Sequence, residues 1–373
     1  MSEGRLTVFF NVPGSQVHGG PPTHLPLLEA ELRKYVDVER FDFGRRSDAE
    51  STFDKLVLRT KDLLKLRAKI SRVRPTIIHQ NTAFDTRAII RDAALVWLAK
   101  RHGIPVLLKM HGSCDDLLGN ISTPMRQLRD FIFKNTNCIG VLSPAERDMY
   151  LQAWPALRHR VRVVKNIIKP EFHSLKRTEA EVPTLLFISR FIREKGMFEL
   201  LESVPRVVRK FPTAQFIFVG SGSDAAAFDQ TVREKSLGLF VRRVDHVGHL
   251  DTLKFYASAW ALVFPTHRPQ EGMPMVVAEA MAAGLPIVTS RTKFSRSYME
   301  AGKQCLFIDP KNPASIAEAI VYLLESRDLR CQMGNSNREL AKSFRAEIVA
   351  QEFTNIYQDV VSNCSEYYLP RPV

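Results

Sequence analysis

The sequence predicts an α/β protein made of two domains, and three observations lead to this prediction. The chain has 373 residues, which is more than one hydrophobic core usually organises. Apolar runs of strand length alternate with helical segments along both halves, the pattern of parallel sheets covered by helices. Residues 168–183 are charged and carry Pro170 and Pro183, as a linker would. The predicted parts are a first domain over residues 1–170, a linker at 171–183, a second domain over 184–349, and a C-terminal helix at about 350–373 that packs back on the first domain.

The first half contains a glycine loop and a strand-end histidine that are candidate site elements. Gly19 and Gly20 stand between the first strand and the first helix, where a backbone can approach an anion at the helix N-terminus. His111 directly follows a predicted strand, and the carboxyl ends of parallel strands are where α/β sheets bind ligands. The predicted strands here are Leu6–Val12, Thr76–Gln80, Pro105–Met110, Cys138–Leu142 and Val161–Val164.

The second half places two cations in its first strand–helix turn, Arg190 and Lys195. They suit a polyphosphate, because arginine offers a planar fork of donors and lysine a point charge. The predicted strands are Thr184–Ser189, Gln215–Val219, Trp260–Pro265, Pro286–Thr289 and Cys305–Ile308, and helices are predicted to begin at Ser315, Asn335 and Ala346.

A second glycine turn gives a rival interpretation. Gly220–Ala225 follows the pattern G-x-G-x-x-A, and Asp245 lies twenty residues after Ala225, as in dinucleotide-binding proteins. An NAD(P)-dependent oxidoreductase would bind its cofactor with this turn. The turn follows the second strand of its domain, however, whereas the dinucleotide fingerprint occupies the first strand–helix turn.

The stretch EGMPMVVAEAMAAG, which begins at Glu271, is the most informative part of the chain. Pro274 suits the first turn of a helix, and Gly284 suits the left-handed residue just after its end. Glu279 is the single charged side chain of this apolar helix, so it needs a polar partner from another element. Glu271 stands just before the helix N-terminus, where backbone N–H groups favour an anion. Two carboxylates therefore bracket a predicted anion site.

This stretch resembles the Glu-x7-Glu signature of the retaining glycosyltransferases of family four. The spacing of Glu271 and Glu279, with EGMP before and EAMAAGLPIV after, carries the resemblance. The family has the GT-B fold, in which two Rossmann-like domains face each other across a cleft. The resemblance extends through LLKMHGS around His111 and through the turn with Arg190 and Lys195. The segment LLKMHGSCDDLL is similar to the branch that builds lipopolysaccharide, capsule or exopolysaccharide.

The resemblance implies retaining transfer of a sugar from a nucleotide-diphosphate sugar, of UDP or GDP type, to a glycan or lipid-linked acceptor. It implies no metal and no other cofactor. His111 and Glu271 take the catalytic positions at the donor sugar, and Glu279 holds the ribose. The donor-binding set is Gly19, Gly20, Arg190, Lys195, Gly220, Gly248, Gly272, Met273, Pro274, Met275 and Glu279. A nucleotide-sugar 2-epimerase of the same fold remains an alternative, and the donor sugar, the base and the acceptor stay open.

The net charge of +13 is concentrated in the first domain, where residues 1–173 hold 28 Lys and Arg against 18 Asp and Glu. Within Lys55–Arg74, eight basic residues and one acid, Asp62, alternate with leucines. A basic amphipathic helix suits an anionic membrane surface or a lipid-phosphate substrate, and a solvated helix on the outside of the domain fits equally well. Nucleic acid is not predicted as a partner, because no basic motif is interleaved with aromatic residues.

The remaining sequence features predict the compartment. Five cysteines without a CxxC pair favour reduced thiols over a disulfide framework or a zinc site. The start of the chain lacks a basic segment before its apolar run, and no apolar run approaches the length of a membrane span. We therefore expect a cytoplasmic protein, peripheral at the inner membrane face if Lys55–Arg74 binds lipid. The pair Asp115-Asp116 is expected to be an exposed turn and no metal site.

Overall fold

The computed structural model describes residues 5–12, 20–41, 43, 52–86, 88–112, 119, 121–248 and 250–365. Gly19 and the pair Asp115-Asp116 lie outside these residues, as do the side chains of residues 20–23 and 52–60. The chain divides into two units. The first unit comprises Met1–Ile167 and Ala346–Val373, and the second comprises Ile168–Arg345.

The first unit contains a parallel sheet of six strands in the order β2-β1-β3-β4-β5-β6. Its strands are β1 (Thr7–Asn11), β2 (Asp37–Phe41), β3 (Ile77–Thr82), β4 (Val106–Met110), β5 (Cys138–Val141) and β6 (Val161–Val163). Its described helices are α1 (Gly20–Leu32), α2 (Thr52–Val73), α3 (Ala88–Arg101), α4 (Thr123–Asn135), α5 (Pro144–Ala153) and, at the end of the chain, α14 (Ala346–Ser365).

Both faces of this sheet are buried, as expected of a parallel sheet. One face packs on α2, α3, α4 and α5, and the other packs on α1 and α14. The C-terminal helix α14 thus belongs to the first unit. Phe353 and Tyr357 enter its core, and Glu352 bonds Lys165 after β6, with 2.7 Å between Oε1 and Nζ.

The second unit contains another parallel sheet of six strands, in the order β12-β11-β10-β7-β8-β9. Its strands are β7 (Thr184–Ile188), β8 (Gln215–Val219), β9 (Val241–Val244), β10 (Ala261–Phe264), β11 (Ile287–Ser290) and β12 (Leu306–Ile308). Its helices are α6 (Pro170–His173), α7 (Met197–Lys210), α8 (Ala225–Glu234), α9 (Leu253–Ser258), α10 (Met275–Ala283), α11 (Lys293–Tyr298), α12 (Pro313–Glu325) and α13 (Arg327–Ala341).

The segment predicted as a linker, residues 171–183, packs on the second unit. Phe172 of α6 is fully buried, and its ring meets that of Tyr256 with 5.1 Å between centroids. The Thr178 N–H donates to the Ala257 carbonyl oxygen at 3.0 Å. The chain therefore enters the second unit already at its first boundary residue, Ile168.

The predicted start of a helix at Asn335 is wrong, because this residue lies inside α13. The helix begins earlier, where the Ser326 hydroxyl caps it by accepting from the Leu329 N–H at 3.2 Å. Gly334 then passes within the helix close to α10, where an added Cβ would lie 2.5 Å from the Gly284 carbonyl oxygen.

In each sheet the strand order reverses once, between β1 and β3 in the first unit and between β7 and β10 in the second. Open α/β sheets bind ligands outside the carboxyl ends of their strands at such a switch point. The loops after these four strands are therefore where the fold positions a site. Among the described helices, none combines the length and apolarity needed to cross a membrane.

Candidate active site

Lys195 and Glu271 form an ion pair at the switch point of the second unit. Lys195 closes a short 3₁₀ turn after β7, and Glu271 lies in the loop between β10 and α10. The Lys195 Nζ donates to the Glu271 Oε2 at 2.5 Å, and the two side chains are only 10% and 12% exposed. The structure thus brings a predicted donor-binding cation and a predicted catalytic carboxylate into direct contact.

The turn that carries Lys195 is fixed from both sides. Gly196 has a φ of 80°, and a Cβ on it would lie 2.0 Å from the Pro265 carbonyl oxygen, so only glycine lets the two loops pack this closely. On the other side, the Asp224 Oδ2 accepts from the Arg193 N–H at 2.8 Å. The Lys195 Nζ also lies 5.4 Å from the centre of the Phe264 ring.

The charge at this switch point is positive overall. Burial lowers the pKa of Lys195, and the nearby cations Arg268 and Arg190 lower it further, while Glu271 acts in the opposite direction. Arg190 itself is exposed. The three cations Lys195, Arg190 and Arg268 stand against two carboxylates, Glu271 and Glu194, the latter 4.0 Å from Arg268. A net positive charge of this kind can attract a polyanion such as a diphosphate.

Helix α10 points its N-terminus into the same region. Its hydrogen-bond ladder begins at Val277, whose N–H donates to the Pro274 carbonyl oxygen at 3.0 Å. Gly272, Met273 and Pro274 are buried just before it, and Met275 is its first residue. Pro274 occupies the cap position and Gly284 ends the helix with a φ of 69°, close to the predicted limits.

Glu279 receives its polar partner from α9. It is 6% exposed, and the Tyr256 hydroxyl donates to its Oε2 at 2.9 Å. Burial first, and then the Glu279 charge, raise the pKa of Tyr256 well above its usual 10, so the hydroxyl keeps its hydrogen. The sequence predicts that Glu279 needs a partner but gives no signal for Tyr256.

At the switch point of the first unit, His111 is held by an asparagine. The His111 Nε2 lies 2.6 Å from the Asn81 Oδ1, and the His111 backbone N–H donates to the Thr82 carbonyl oxygen at 2.8 Å. Asn81 also reaches β1, because its Nδ2 donates to the Asn11 carbonyl oxygen at 2.6 Å. The ring of His24, from α1, lies 5.3 Å from that of His111.

Beside His111 lies a fully buried lysine that the sequence analysis missed. The Lys109 side chain is 0% exposed, and its Nζ donates to the Lys165 carbonyl oxygen at 3.4 Å and lies 5.0 Å from the centre of the Phe353 ring. Burial lowers the pKa of Lys109 to about 7. Burial followed by the Lys109 charge also lowers the pKa of His79 and of His111 well below 6.5.

Residues 169–340 match the family described as glycosyl transferases group 1, and residues 10–166 match the glycosyl transferase 4-like domain. These two matches meet within a few residues of the boundary between the two units. The chain belongs to the group 1 glycosyltransferases. The GT-B fold predicted for it, an α/β fold with two Rossmann-like domains, is confirmed by the two parallel sheets and by the solved structures that it resembles.

Two solved glycosyltransferases match nearly the whole of this group 1 family member. Sucrose-phosphate synthase from Thermosynechococcus elongatus has a TM-score of 0.76 at 20% identity and covers 96% of this chain and 100% of its own. HepE from Anabaena, in complex with UDP, has a TM-score of 0.74 at 15% identity and covers 95% and 100%.

A curated relative matches over a shorter stretch. The phosphatidyl-myo-inositol mannosyltransferase of Mycobacterium leprae is 28% identical over 189 residues, which is 49% of this chain and 48% of the relative. The chain thus spans about half the length of the curated relatives that it matches first.

The structure does not favour the dinucleotide interpretation of Gly220–Ala225. Gly220 has a φ of 139°, and a Cβ on it would lie 1.9 Å from the Ser189 carbonyl oxygen, so the turn is filled by the backbone that follows β7. The Phe191 N–H donates to the Ser221 carbonyl oxygen at 2.8 Å. Asp245, the expected ribose carboxylate, pairs with Arg243 instead.

The other predicted donor-binding glycines lie apart from the Lys195–Glu271 pair in the chain. Gly20 is the first residue of α1. Gly248 lies in the exposed loop after β9, where its carbonyl oxygen accepts from the Asp251 N–H at 2.9 Å. Among the described residues there is no group of three or more His, Cys, Asp or Glu side chains that could hold a metal ion. The four described cysteines, Cys138, Cys305, Cys331 and Cys364, are free thiols.

Proposed function

We propose that the protein is a retaining glycosyltransferase that moves a sugar from a nucleotide-diphosphate sugar, of UDP or GDP type, to a glycan or lipid-linked acceptor. The observation that carries this proposal is the contact between Lys195 and Glu271 at the switch point of the second unit. A diphosphate bound at Lys195 places the attached sugar beside Glu271, whose carboxylate can accept from a sugar hydroxyl. HepE, of the same fold, is known in complexes with UDP and with UDP-glucose.

The proposed chemistry needs stabilisation of the leaving diphosphate as negative charge builds on it. Arg190 and Lys195 supply positive charge, and the N-terminus of α10 adds the positive end of the helix dipole. Glu279, held by Tyr256, binds the ribose hydroxyls. With these groups in place, the residues of the second unit perform the electrostatic task without a metal ion. The departing phosphate then takes the proton from the acceptor.

The proposed acceptor belongs to lipopolysaccharide, capsule or exopolysaccharide synthesis at the inner face of the cytoplasmic membrane. Helix α2 would attach the protein there, and its described outer face carries exposed Lys61, Lys65 and Arg67. Leu64 between them is 62% exposed. Lys69 is turned away from this face, because its Nζ bonds the Glu39 carboxylate of β2 at 3.0 Å. Cations and an exposed leucine on one helix face suit an anionic bilayer surface.

The test is a thermal-shift and mass-spectrometric screen against UDP, GDP, ADP and CMP sugars. The proposal predicts that one nucleoside diphosphate raises the unfolding temperature, and that its sugar appears on an added acceptor with release of the diphosphate. Turnover of a nucleotide sugar alone into an isomer would favour the epimerase. A stabilising effect of NAD(P) with none from any nucleoside diphosphate would refute the proposal.

A further inference from the structure

A series of hydrogen bonds through Asn11 and Asn81 crosses the switch point of the first unit and ends on His111. Asn11 donates from its Nδ2 to the carbonyl oxygens of Phe41 and Phe43, at 3.3 and 3.2 Å. The carbonyl oxygen of Asn11 accepts from the Asn81 Nδ2 at 2.6 Å, and the Asn81 Oδ1 faces the His111 Nε2 at 2.6 Å. Both asparagines are buried.

This series of hydrogen bonds determines which nitrogen of His111 carries the hydrogen. The Asn81 amide has one orientation that satisfies both contacts, because the opposite orientation would set its oxygen against the Asn11 carbonyl oxygen. The Asn81 Oδ1 can only accept, so the His111 Nε2 must donate. A neutral imidazole carries one hydrogen, and Nδ1 is then left without one.

The surroundings of His111 oppose a second hydrogen on Nδ1. This atom is enclosed and has no hydrogen-bond partner within the part of the chain that the structure describes, so an N–H there would be a buried donor without an acceptor. The titratable groups that face the ring are His24 of α1, His79 of β3 and Lys109 of β4, and each of them opposes an added positive charge. Burial acts in the same direction, and together they lower the pKa of His111 well below 6.5.

We propose that Asn81 is a positioning residue that holds His111 as the neutral tautomer with its hydrogen on Nε2, so that His111 serves glycosyl transfer without a positive charge. This inference rests on the proposed function for its purpose. Glycosyl transfer passes through a transition state with positive charge on the sugar ring, and an imidazolium next to that ring would oppose it. A neutral histidine avoids this repulsion.

The first test is ¹⁵N NMR of the full chain with labelled histidine, using His111→Gln to assign the His111 signals. Wild type should show one tautomer, with the hydrogen on Nε2 and no protonation of the ring from pH 8 down to about pH 5.5. Asn81→Asp keeps the shape of the side chain and places a carboxylate against Nε2, which favours imidazolium, so the protonation midpoint of His111 should rise by at least about one pH unit. Its second oxygen replaces the Nδ2 that donates to the Asn11 carbonyl oxygen, so the unfolding curve of the variant is measured first to show that it is folded. Asn135→Asp, the same change at the end of α4, is the control and should leave the His111 signals unchanged.

A wild-type spectrum with the hydrogen on Nδ1, a mixture of tautomers, or protonation at about pH 6.5 would overturn the proposal. This measurement needs no substrate, so it stands even if the screen for a nucleotide sugar fails. An NMR result that overturns the tautomer of His111, in turn, does not contradict the proposed glycosyl transfer.

The second test is the pH dependence of kcat with the donor found in the screen. Wild type should show no loss of kcat that follows histidine protonation between pH 8 and pH 6, whereas Asn81→Asp should lose about tenfold or more below its raised midpoint and recover above it. Recovery at alkaline pH separates this effect from misfolding, and the KM for the donor should change little. An Asn81→Asp enzyme with the wild-type pH profile would show that Asn81 does not act through the protonation of His111.

Discussion

The two switch points of this chain have the same topology but differ in the charge of the side chains that they bring together. In the second unit, the loops after β7 and β10 bring charged groups together, and Lys195 meets Glu271 at 2.5 Å. In the first unit, Asn11 is the last residue of β1, and Asn81 stands one residue before the end of β3. They hold His111, whose pKa is lowered well below 6.5 by burial and then by the Lys109 charge. A parallel sheet thus fixes where a ligand binds, while the residues after each strand decide whether an anion or an uncharged group is favoured there.

This difference suggests a division of labour between the two units. Under the proposed function, the second unit would hold the anionic nucleoside diphosphate, and the first unit would contribute His111 at the donor sugar. Substitutions in the two units should then change different measured quantities, and the following predictions separate them.

The largest effect is expected for His111→Ala. It should lower kcat by at least about 100-fold, because a lost contact at the reacting sugar misplaces it, while the Kd for the nucleoside diphosphate stays within about twofold of wild type. Steady-state kinetics and calorimetry measure the two quantities. If the affinity for the diphosphate fell as much as kcat, the proposed division of labour between the two units would be wrong. His102→Ala, at the end of α3, is the control.

Binding to an anionic membrane should depend on the outer surface of the first unit and not on that of the second. Each Lys or Arg near an anionic bilayer contributes about 1 kcal/mol, so the triple variant Lys61→Gln, Lys65→Gln and Arg67→Gln should lose roughly 3 kcal/mol of binding at low salt. Co-sedimentation with phosphatidylglycerol vesicles at low and high salt measures this. The control removes the same charge from exposed positions of the second unit, Arg209, Lys210 and Lys235. If the two triple variants co-sediment with the vesicles to the same extent, α2 is a solvated helix that does not bind the membrane.

Lys195→Ala should weaken nucleoside-diphosphate binding by roughly one to two orders of magnitude, since a hydrogen bond to a charged group contributes about 1.5–3 kcal/mol. Calorimetry with UDP and GDP measures this change, and Lys210→Ala, an exposed lysine of α7, is the control. Unchanged affinity in Lys195→Ala would place the diphosphate elsewhere.

Lys109→Met tests whether burial lowers the pKa of Lys109 in the first unit, and the measured quantity is the pH dependence of the free energy of unfolding. The folded pKa of Lys109 is about 7, below the 10.5 of a free lysine, so the unfolded chain binds more protons between these values. The free energy of unfolding of wild type should therefore rise with pH across this window, by about 2 kcal/mol between pH 7 and pH 9. Denaturant titrations at both pH values should show that Lys109→Met lacks this increment. The exposed-site control Lys61→Met should keep it.

The smallest effect is expected for Tyr256→Phe. It removes one hydrogen bond from the buried Glu279 carboxylate and should lower the free energy of unfolding by about 1–2 kcal/mol. Binding of the nucleoside diphosphate should weaken only a few-fold, because Lys195 remains. Tyr322→Phe, at a position that is 58% exposed, is the control. Identical unfolding curves for both variants would show that Tyr256 does not support Glu279.

The sequence predicted the arrangement of residues better at the candidate site of the second unit than at that of the first, because the residues concerned lie close together in the chain. Glu271, Pro274, Glu279 and Gly284 belong to one helix and its loop, so spacing and apolar context predict their arrangement. Strands β2 and β9 escaped prediction because charged residues interrupt them, as in DVERF and VRRV. The charged segment at residues 171–183 has the composition of a linker, yet the single apolar residue Phe172 docks it on Tyr256.

The residues that were missed act across elements far apart in the chain. Asn81 matters because β3 pairs with β1 and β4, which sets its side chain between Asn11 and His111. Tyr256 matters because α9 packs beside α10, and Lys109 because α14 covers it. No local pattern marks these side chains, since each becomes a partner only once the sheet order is known.

The most direct test of the division of labour is a time-resolved ¹H NMR assay of the full chain, with the nucleotide sugar from the screen, an acceptor, and EDTA present. We expect release of the nucleoside diphosphate, a product whose anomeric configuration equals that of the donor, and a rate that EDTA leaves unchanged. The same assay with His111→Ala should lose transfer while the diphosphate still binds. A product of inverted configuration, or transfer that stops in EDTA and returns with magnesium or manganese, would contradict the proposed retaining, metal-independent transfer.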